Sequence, residues 1–305
     1  MAKNKINGWL VIDKPYNMGS TSVVGKLKWL LKPEKIGHAG TLDPLATGVL
    51  PIAFGSATKT IPFVMDGQKT YEFEVTWGRQ TTTDDVEGET QYESDLRPTR
   101  QEIEILLPQF IGQIEQIPPQ YSALKINGKR AYDLARNGVE VDFKPRLIQI
   151  DSLQILSHTS EKTLFQVQCG KGTYVRSIGR DLGQKLGCYG YITRLRRTKC
   201  GPFDINMSIL LENLEKDSYN ENASKIISPL TALDDILVLA VGDEEKEALL
   251  YGKSISFPLQ DMTCNPFCPT ELSVDSVVGL RWGQQLCALA TYTDGQLKPF
   301  RVFAV

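Results

Sequence analysis

The chain has 305 residues and very little histidine, no dense cysteine pattern and no long apolar run. His38 and His158 are the two histidines, too few and too far apart in sequence for a histidine-built metal centre. Six cysteines (Cys169, Cys188, Cys200, Cys264, Cys268 and Cys287) are scattered too thinly for the disulfide framework of a small secreted domain, so reduced thiols are expected. Cys264 and Cys268 have the spacing of half a zinc site, but no second pair has ligand spacing and no metal is expected. No stretch reaches the roughly 18 apolar residues of a membrane span. The N-terminus runs from Met1 to Asn7 straight into Gly8-Trp9-Leu10-Val11-Ile12 without a signal-peptide core. The expectation is a soluble, cytoplasmic protein.

A net excess of basic charge is also lacking. Lys and Arg number 34 against 36 Asp and Glu, a formal charge of −2, which is not the global footprint of many nucleic-acid binders. The charge is segregated instead. Lys171 to Cys200 holds eight basic residues against one acid, whereas Leu211 to Leu250 holds ten acids against three bases. Such separation lets a basic strip attract phosphates while the rest of the surface stays acidic.

The length allows two cores. Short apolar runs at Trp9 to Ile12 and Gly48 to Phe54 read as buried strands, and alternating Tyr71, Phe73 and Val75 mark a strand over Thr70 to Trp77. Ser22 to Lys32 reads as a helix behind the cap candidates Ser20 and Thr21, and Ala57 to Met65 as a short helix. Asp84 to Glu89 is an acidic, turn-like stretch, and Thr99 caps a further helix. Strands over Arg146 to Leu156, Thr163 to Cys169 and Tyr191 to Thr198 surround a helix that opens near Thr173. This mixed order predicts an α+β fold over residues 1–235. From residue 236 to 305 the pattern becomes a helix, Glu244 to Tyr251, then strands Val277 to Trp282, Leu286 to Tyr292 and Phe300 to Val305, with an Asp294-Gly295 hairpin turn.

One segment stands apart: His38-Ala-Gly-Thr-Leu-Asp-Pro-Leu-Ala-Thr-Gly-Val-Leu50, in which Asp43 is the single carboxylate. Gly40 and Gly48 permit backbone conformations closed to other residues, and Pro44 biases Asp43 away from helical geometry. Asp-Pro is equally a helix start, with the acid capping free amides, so the pair alone leaves both readings open.

The whole phrase resembles the catalytic motif of the TruB family of pseudouridine synthases. Gly8-Trp9-Leu10 through Asp13-Lys14-Pro15, Gly55 to Lys59, Lys69-Thr70-Tyr71, Gln116 to Ala123, Gly172 to Ser177 and Leu195 to Thr198 follow in that family's order. The resemblance covers about residues 8 to 210. It implies a mixed, largely antiparallel central sheet flanked by helices, and a small β-rich PUA-like RNA-binding domain at the C-terminal end. It also implies isomerisation of a uridine of the tRNA T-loop, at position 55, to pseudouridine. Gln120 to Glu140, with Lys125, Lys129, Arg130 and Arg136 among tyrosines, is expected to be an RNA-gripping insertion.

Such an isomerisation breaks C1′–N1 and forms C1′–C5 with no net oxidation or hydrolysis, so no cofactor is expected. It needs a carboxylate beside the ribose, acting either as a nucleophile on C1′ or as a base on the 2′ proton. By resemblance that acid is Asp43, Arg176 pairs with it and Tyr71 stacks on the uracil and assists loss of the C5 proton. Tyr174 and Leu195 line the base pocket, His38 holds the opened loop, and Lys14 and Pro15 shape the site. The expected partner is tRNA through its T-arm, with no obligate protein partner. Three other readings compete. A guide-RNA-dependent rRNA synthase carries lysine-rich tails, a tRNA-folding chaperone needs grip without chemistry, and a sugar hydrolase needs a second paired carboxylate.

Overall fold

The computed structural model describes residues 3–122, 124–126, 129–131, 143–216, 219–257 and 275–303. The Cys264/Cys268 segment and the 132–140 part of the basic insertion lie outside the described residues, as do the side chains of Lys125, Lys129 and Arg130.

Ten strands form one sheet. Its order is Ile209–Leu210, Gly8–Lys14, Thr47–Phe54, Gly190–Cys200, Lys69–Trp77, Lys162–Cys169, Arg146–His158 and Gly112–Gln116, with Ile36–His38 added beside Thr47–Phe54 and Phe203–Asp204 beside Gly190–Cys200. Two junctions are parallel, Gly8–Lys14 with Ile209–Leu210 and Gly190–Cys200 with Thr47–Phe54, and the rest are antiparallel. The sheet is therefore mixed and largely antiparallel, as expected. The strands Ile36–His38, Gly112–Gln116 and Ile209–Leu210 were not legible in the sequence, because two to five residues carry too little alternation to register.

The sheet is stabilised on its faces by separate apolar clusters. Alternation in Lys69–Trp77 sends Phe73, Val75 and Trp77 into one core with Phe165, Val167, Ile178 and Leu182. Leu10, Ile12, Leu50 and Ile52 build a second core with Val23, Leu27 and Leu31 from the helix Ser20–Leu31. Tyr71 and Leu195 pack against both clusters, so they stand where the two cores meet. The helix Val175–Lys185 approaches the sheet closely because Gly183 has no side chain; a Cβ there would collide with the backbone of Tyr189 and Gly190.

A second, five-stranded sheet takes the order Val238–Ala240, Val277–Trp282, Gln285–Thr293, Gln296–Val302 and Ile255–Ser256, and encloses its own core around Val278, Leu280, Ala288 and Ala290. Asp294 and Gly295 turn its hairpin with φ of 51° and 72°, the left-handed pair such a turn requires. Leu233, Leu286, Leu289 and Phe303 join it to Phe63 of the larger unit, where Lys59 donates to the Val302 carbonyl and lies 5.2 Å from the Phe303 ring.

Candidate active site

Asp43 does not cap a helix. The Asp43 carbonyl accepts from the Ala46 amide at 3.1 Å, which makes Asp43 to Ala46 a tight turn, and the chain enters and leaves the loop through Gly40 and Gly48 at φ of 84° and 99°. Two buried polar side chains hold this loop in place. The Lys14 ammonium donates to the carbonyls of Pro44 at 3.0 Å, Pro15 at 2.9 Å and Met18 at 2.6 Å. Burial pushes the Lys14 amine down to about 8, with the charge of Asp43 opposing the fall. Ser20 is not the helix cap its position predicts; Gly19 occupies that place, and the Ser20 hydroxyl instead donates to the Leu42 carbonyl at 2.9 Å and accepts from the Leu42 amide at 2.8 Å. Two hydrogen bonds to one residue's backbone fix the neighbour of Asp43.

The Arg176 guanidinium reaches Asp43 from below: Nη2 lies 3.0 Å from Oδ2, with the arginine side chain 8% exposed and the aspartate 45%. The same guanidinium donates to the carbonyls of Thr83 at 2.9 Å and Tyr121 at 2.7 Å, and its Nη1 lies 3.4 Å from the Asp85 carboxylate. Asp85 lies in the acidic, turn-like stretch, and the sequence does not single it out. The first two acids of that stretch are buried while Val86, Glu87 and Glu89 stay exposed: Asp85 accepts from the Thr83 hydroxyl and the Glu87 amide, and neighbouring Asp84 pairs with Arg180 at 3.1 Å. Burial raises the Asp84 carboxyl to about 6, against the lowering pull of Arg180 and Arg176.

The start of the helix that carries Arg176 is clamped as well. Gln116 accepts from the Tyr174 amide at 2.8 Å and donates to the Tyr174 carbonyl at 3.1 Å, and the Ser177 hydroxyl donates to the Ile117 carbonyl at 2.9 Å. Gln116 stands at the head of one of the family-like sequence segments, yet nothing in its spacing marks a backbone clamp.

Asp43, Arg176, Tyr71, Tyr174 and Leu195 converge on one cavity of about 170 Å³, completed by Thr41, Leu42, Thr173 and Val175. Tyr71 is half-buried, and burial pushes its phenol up to about 12 while the adjacent Arg197 cation opposes that rise. Burial raises the Tyr174 phenol in the same direction. A second cavity of about 310 Å³ opens on the other side of the loop and is bordered by Asp43, Pro44, Asp85, Tyr121 and Arg176. The paired geometry places the Asp43 carboxyl group, anchored at 3.0 Å by Arg176, beside an aromatic wall, an arrangement suited to acting on one sugar carbon.

His38 is the predicted site residue that the structure keeps apart. It pairs with Ile52 in the sheet and does not border the 170 Å³ cavity. Burial, and secondarily Arg197, lowers its imidazole pKa, and its buried Nδ1 has no hydrogen-bond partner among the described residues. The basic strip Lys171 to Cys200 also behaves differently from its sequence. Arg176, Arg180, Arg196 and Lys171 are engaged with Asp43 and Asp85, Asp84 and Asp181, Asp13, and Asp66, and Arg197 is buried, which leaves Lys185, Arg194 and Lys199 as its remaining exposed cations. Half of that charge, Arg176, Arg180, Arg196 and Arg197, is turned into the protein, and the Lys171 pair with Asp66 lies on the surface.

Residues 28–175 match the family model described as TruB family pseudouridylate synthase (N terminal domain), and residues 176–238 match the model for the tRNA pseudouridylate synthase B C-terminal domain. The chain is 48% identical over 310 residues to tRNA pseudouridine synthase B of Caulobacter sp. (strain K31), covering 99% of each, and 44% identical to that of Sinorhizobium medicae, covering 98% of this chain and 96% of the relative. Among solved structures, an H/ACA RNP bound to a substrate RNA containing 2′-deoxyuridine shares the fold, with a TM-score of 0.75 at 21% identity over 98% of this chain and 85% of the other. With sequence similarity spanning nearly its whole length and four of the family-like segments lining one cavity, this chain belongs to the TruB family of pseudouridylate synthases.

Proposed function

We propose that the chain isomerises uridine to pseudouridine in the T-loop of tRNA, at position 55, with Asp43 acting on the ribose. The observation that carries this reading is a single carboxylate held 3.0 Å from a buried guanidinium at the rim of a cavity walled by Tyr71 and Leu195. The relatives named tRNA pseudouridine synthase B, at 44–48% identity, support tRNA as the substrate.

Composition is conserved in the reaction: the C1′–N1 bond breaks, the uracil turns, C1′ joins C5, the C5 proton goes to solvent and N1 gains one. Either action on the ribose falls to the Asp43 side chain, and Arg176 holds that side chain in place at 3.0 Å. Because two backbone carbonyls and Asp85 hold the other N–H groups of Arg176, its position does not depend on the substrate. The target base reacts only once it has left the stack, and the Tyr71 ring offers a replacement stacking face worth about 1–3 kcal/mol. Leu195 and Tyr174 line the same pocket, and His38 serves the opened RNA loop outside it. The insertion at residues 120–140 grips the phosphate backbone. Residues 1–235 form the catalytic unit and residues 236–305 a further RNA-binding unit.

The test is incubation of the purified chain alone with a T-arm stem-loop carrying tritium at uridine C5. Release of label to water without guide RNA or added protein is expected; no release, or release that depends on either addition, overturns the reading.

A further inference from the structure

Arg197 is among the most deeply buried charged side chains of the described residues, 1% exposed, and among those residues it pairs with no carboxylate. Burying a guanidinium without a counter-charge is costly, so its remaining contacts need an explanation. Its Nε donates to the Val49 carbonyl at 2.8 Å and its Nη2 to the Gly40 carbonyl at 3.0 Å. These two carbonyls lie on either side of the Asp43 turn, so one planar fork closes the base of that loop. Sheet register ties it to a third residue. Gly48, Arg197 and Tyr71 occupy one row across three adjacent strands, which sets the Arg197 and Tyr71 side chains beside each other on one face of the sheet. The row is close because Gly48 has no side chain; a Cβ there would collide with the Arg197 backbone.

We propose that Arg197 is a positioning residue that sets the Asp43 loop and the Tyr71 ring in fixed relation to each other, so that the carboxylate and the stacking surface meet one nucleotide correctly. This rests on the roles given to Asp43 and Tyr71 under Proposed function. A guanidinium offers several N–H donors at fixed angles in one plane, whereas a lysine ammonium cannot span the same acceptors. Arg197 is buried away from RNA, so its removal acts on geometry rather than on grip.

The experiment compares full-length Arg197→Lys with the wild-type chain in single-turnover tritium release at saturating T-arm RNA, and in RNA affinity. The rate is expected to fall by about 30-fold or more, since a displacement near 1 Å costs on the order of 100-fold, while the Kd stays within about threefold. Equal loss of rate and affinity, or a wild-type rate, overturns the proposal. Asp43→Asn is run in parallel: if it still releases label, the reading of the site fails, and if it is inactive while Arg197→Lys is unimpaired, only the Arg197 proposal fails. Should Arg197→Lys not fold, the wild type still decides by arginine Nε–H NMR. A solvent-protected Nε–H resonance that moves in Tyr71→Phe is expected, and the absence of any protected Nε–H responding to that change overturns the proposal.

Discussion

Arg176 and Asp43 meet at 3.0 Å across a steep gradient of exposure, the guanidinium enclosed and the carboxylate open to the cavity. The pair is therefore asymmetric. The arginine is held whether or not the aspartate is present, because Thr83, Tyr121 and Asp85 contact it from the protein side. Asp43 is free to serve chemistry, and Asp85 carries the structural share.

That asymmetry predicts opposite profiles for two substitutions. Asp85→Asn should destabilise the fold toward the lower end of the roughly 3–5 kcal/mol that follows breaking a buried pair, since Arg176 keeps Asp43. Asp43→Asn should leave stability nearly unchanged. Urea unfolding of both variants checks this; a larger loss in Asp43→Asn would reverse the assignment.

Arg176→Lys keeps a positive charge and loses the planar fork that serves four acceptors at once. Single-turnover activity should drop by about 100-fold or more, because the carboxylate loses its alignment with the ribose. Near-wild-type turnover would mean that charge alone suffices.

Lys14 predicts a divergence between activity and stability in alkali. Its native amine sits at about 8, below its ordinary value of 10.5, so between those limits the native state binds fewer protons than the unfolded state. Stability from this group then rises with pH, while the charged clasp on Pro44 is lost. The single-turnover rate should decline with a midpoint near pH 8 without a matching fall in melting temperature. Lys14→Met should be slow throughout and lack that limb; the same limb in the variant would assign it to another group.

RNA affinity should weaken steeply with salt despite the net charge of −2. Because four of the eight cations of the Lys171 to Cys200 strip are turned into the protein, the basic insertion should carry much of the slope. Neutralising Lys125, Lys129 and Arg130 together should flatten log affinity against log salt by up to roughly 2–3 units, at about 0.7–0.9 for each phosphate that then keeps its counterion. An unchanged slope would show the insertion to be an ordinary surface loop.

The central sheet and the Asp43 loop were legible because their signals are local. Alternation around Phe73 and Val75, the Thr99 helix cap, the Asp294-Gly295 hairpin and the two loop glycines each express a backbone preference that the structure keeps. What escaped depends on tertiary context. Asp84 and Asp85 look solvated until Arg176 and Arg180, more than ninety residues away, are folded over them. Ser20, Gln116 and Arg197 act on backbone amides and carbonyls, which have no sequence identity to pair with. The basic strip misled for the same reason: charge counted along a chain does not reveal how much of it turns inward.

The most direct test is tritium release from C5-labelled T-arm RNA by purified Asp43→Asn, with RNA binding measured in the same samples. The amide keeps the shape of the side chain and loses the charge that acts on ribose. Binding within a few-fold of wild type, with label release below a few per cent, is the result expected for Asp43 as the group that acts on the sugar. Release at a substantial fraction of the wild-type rate would contradict it.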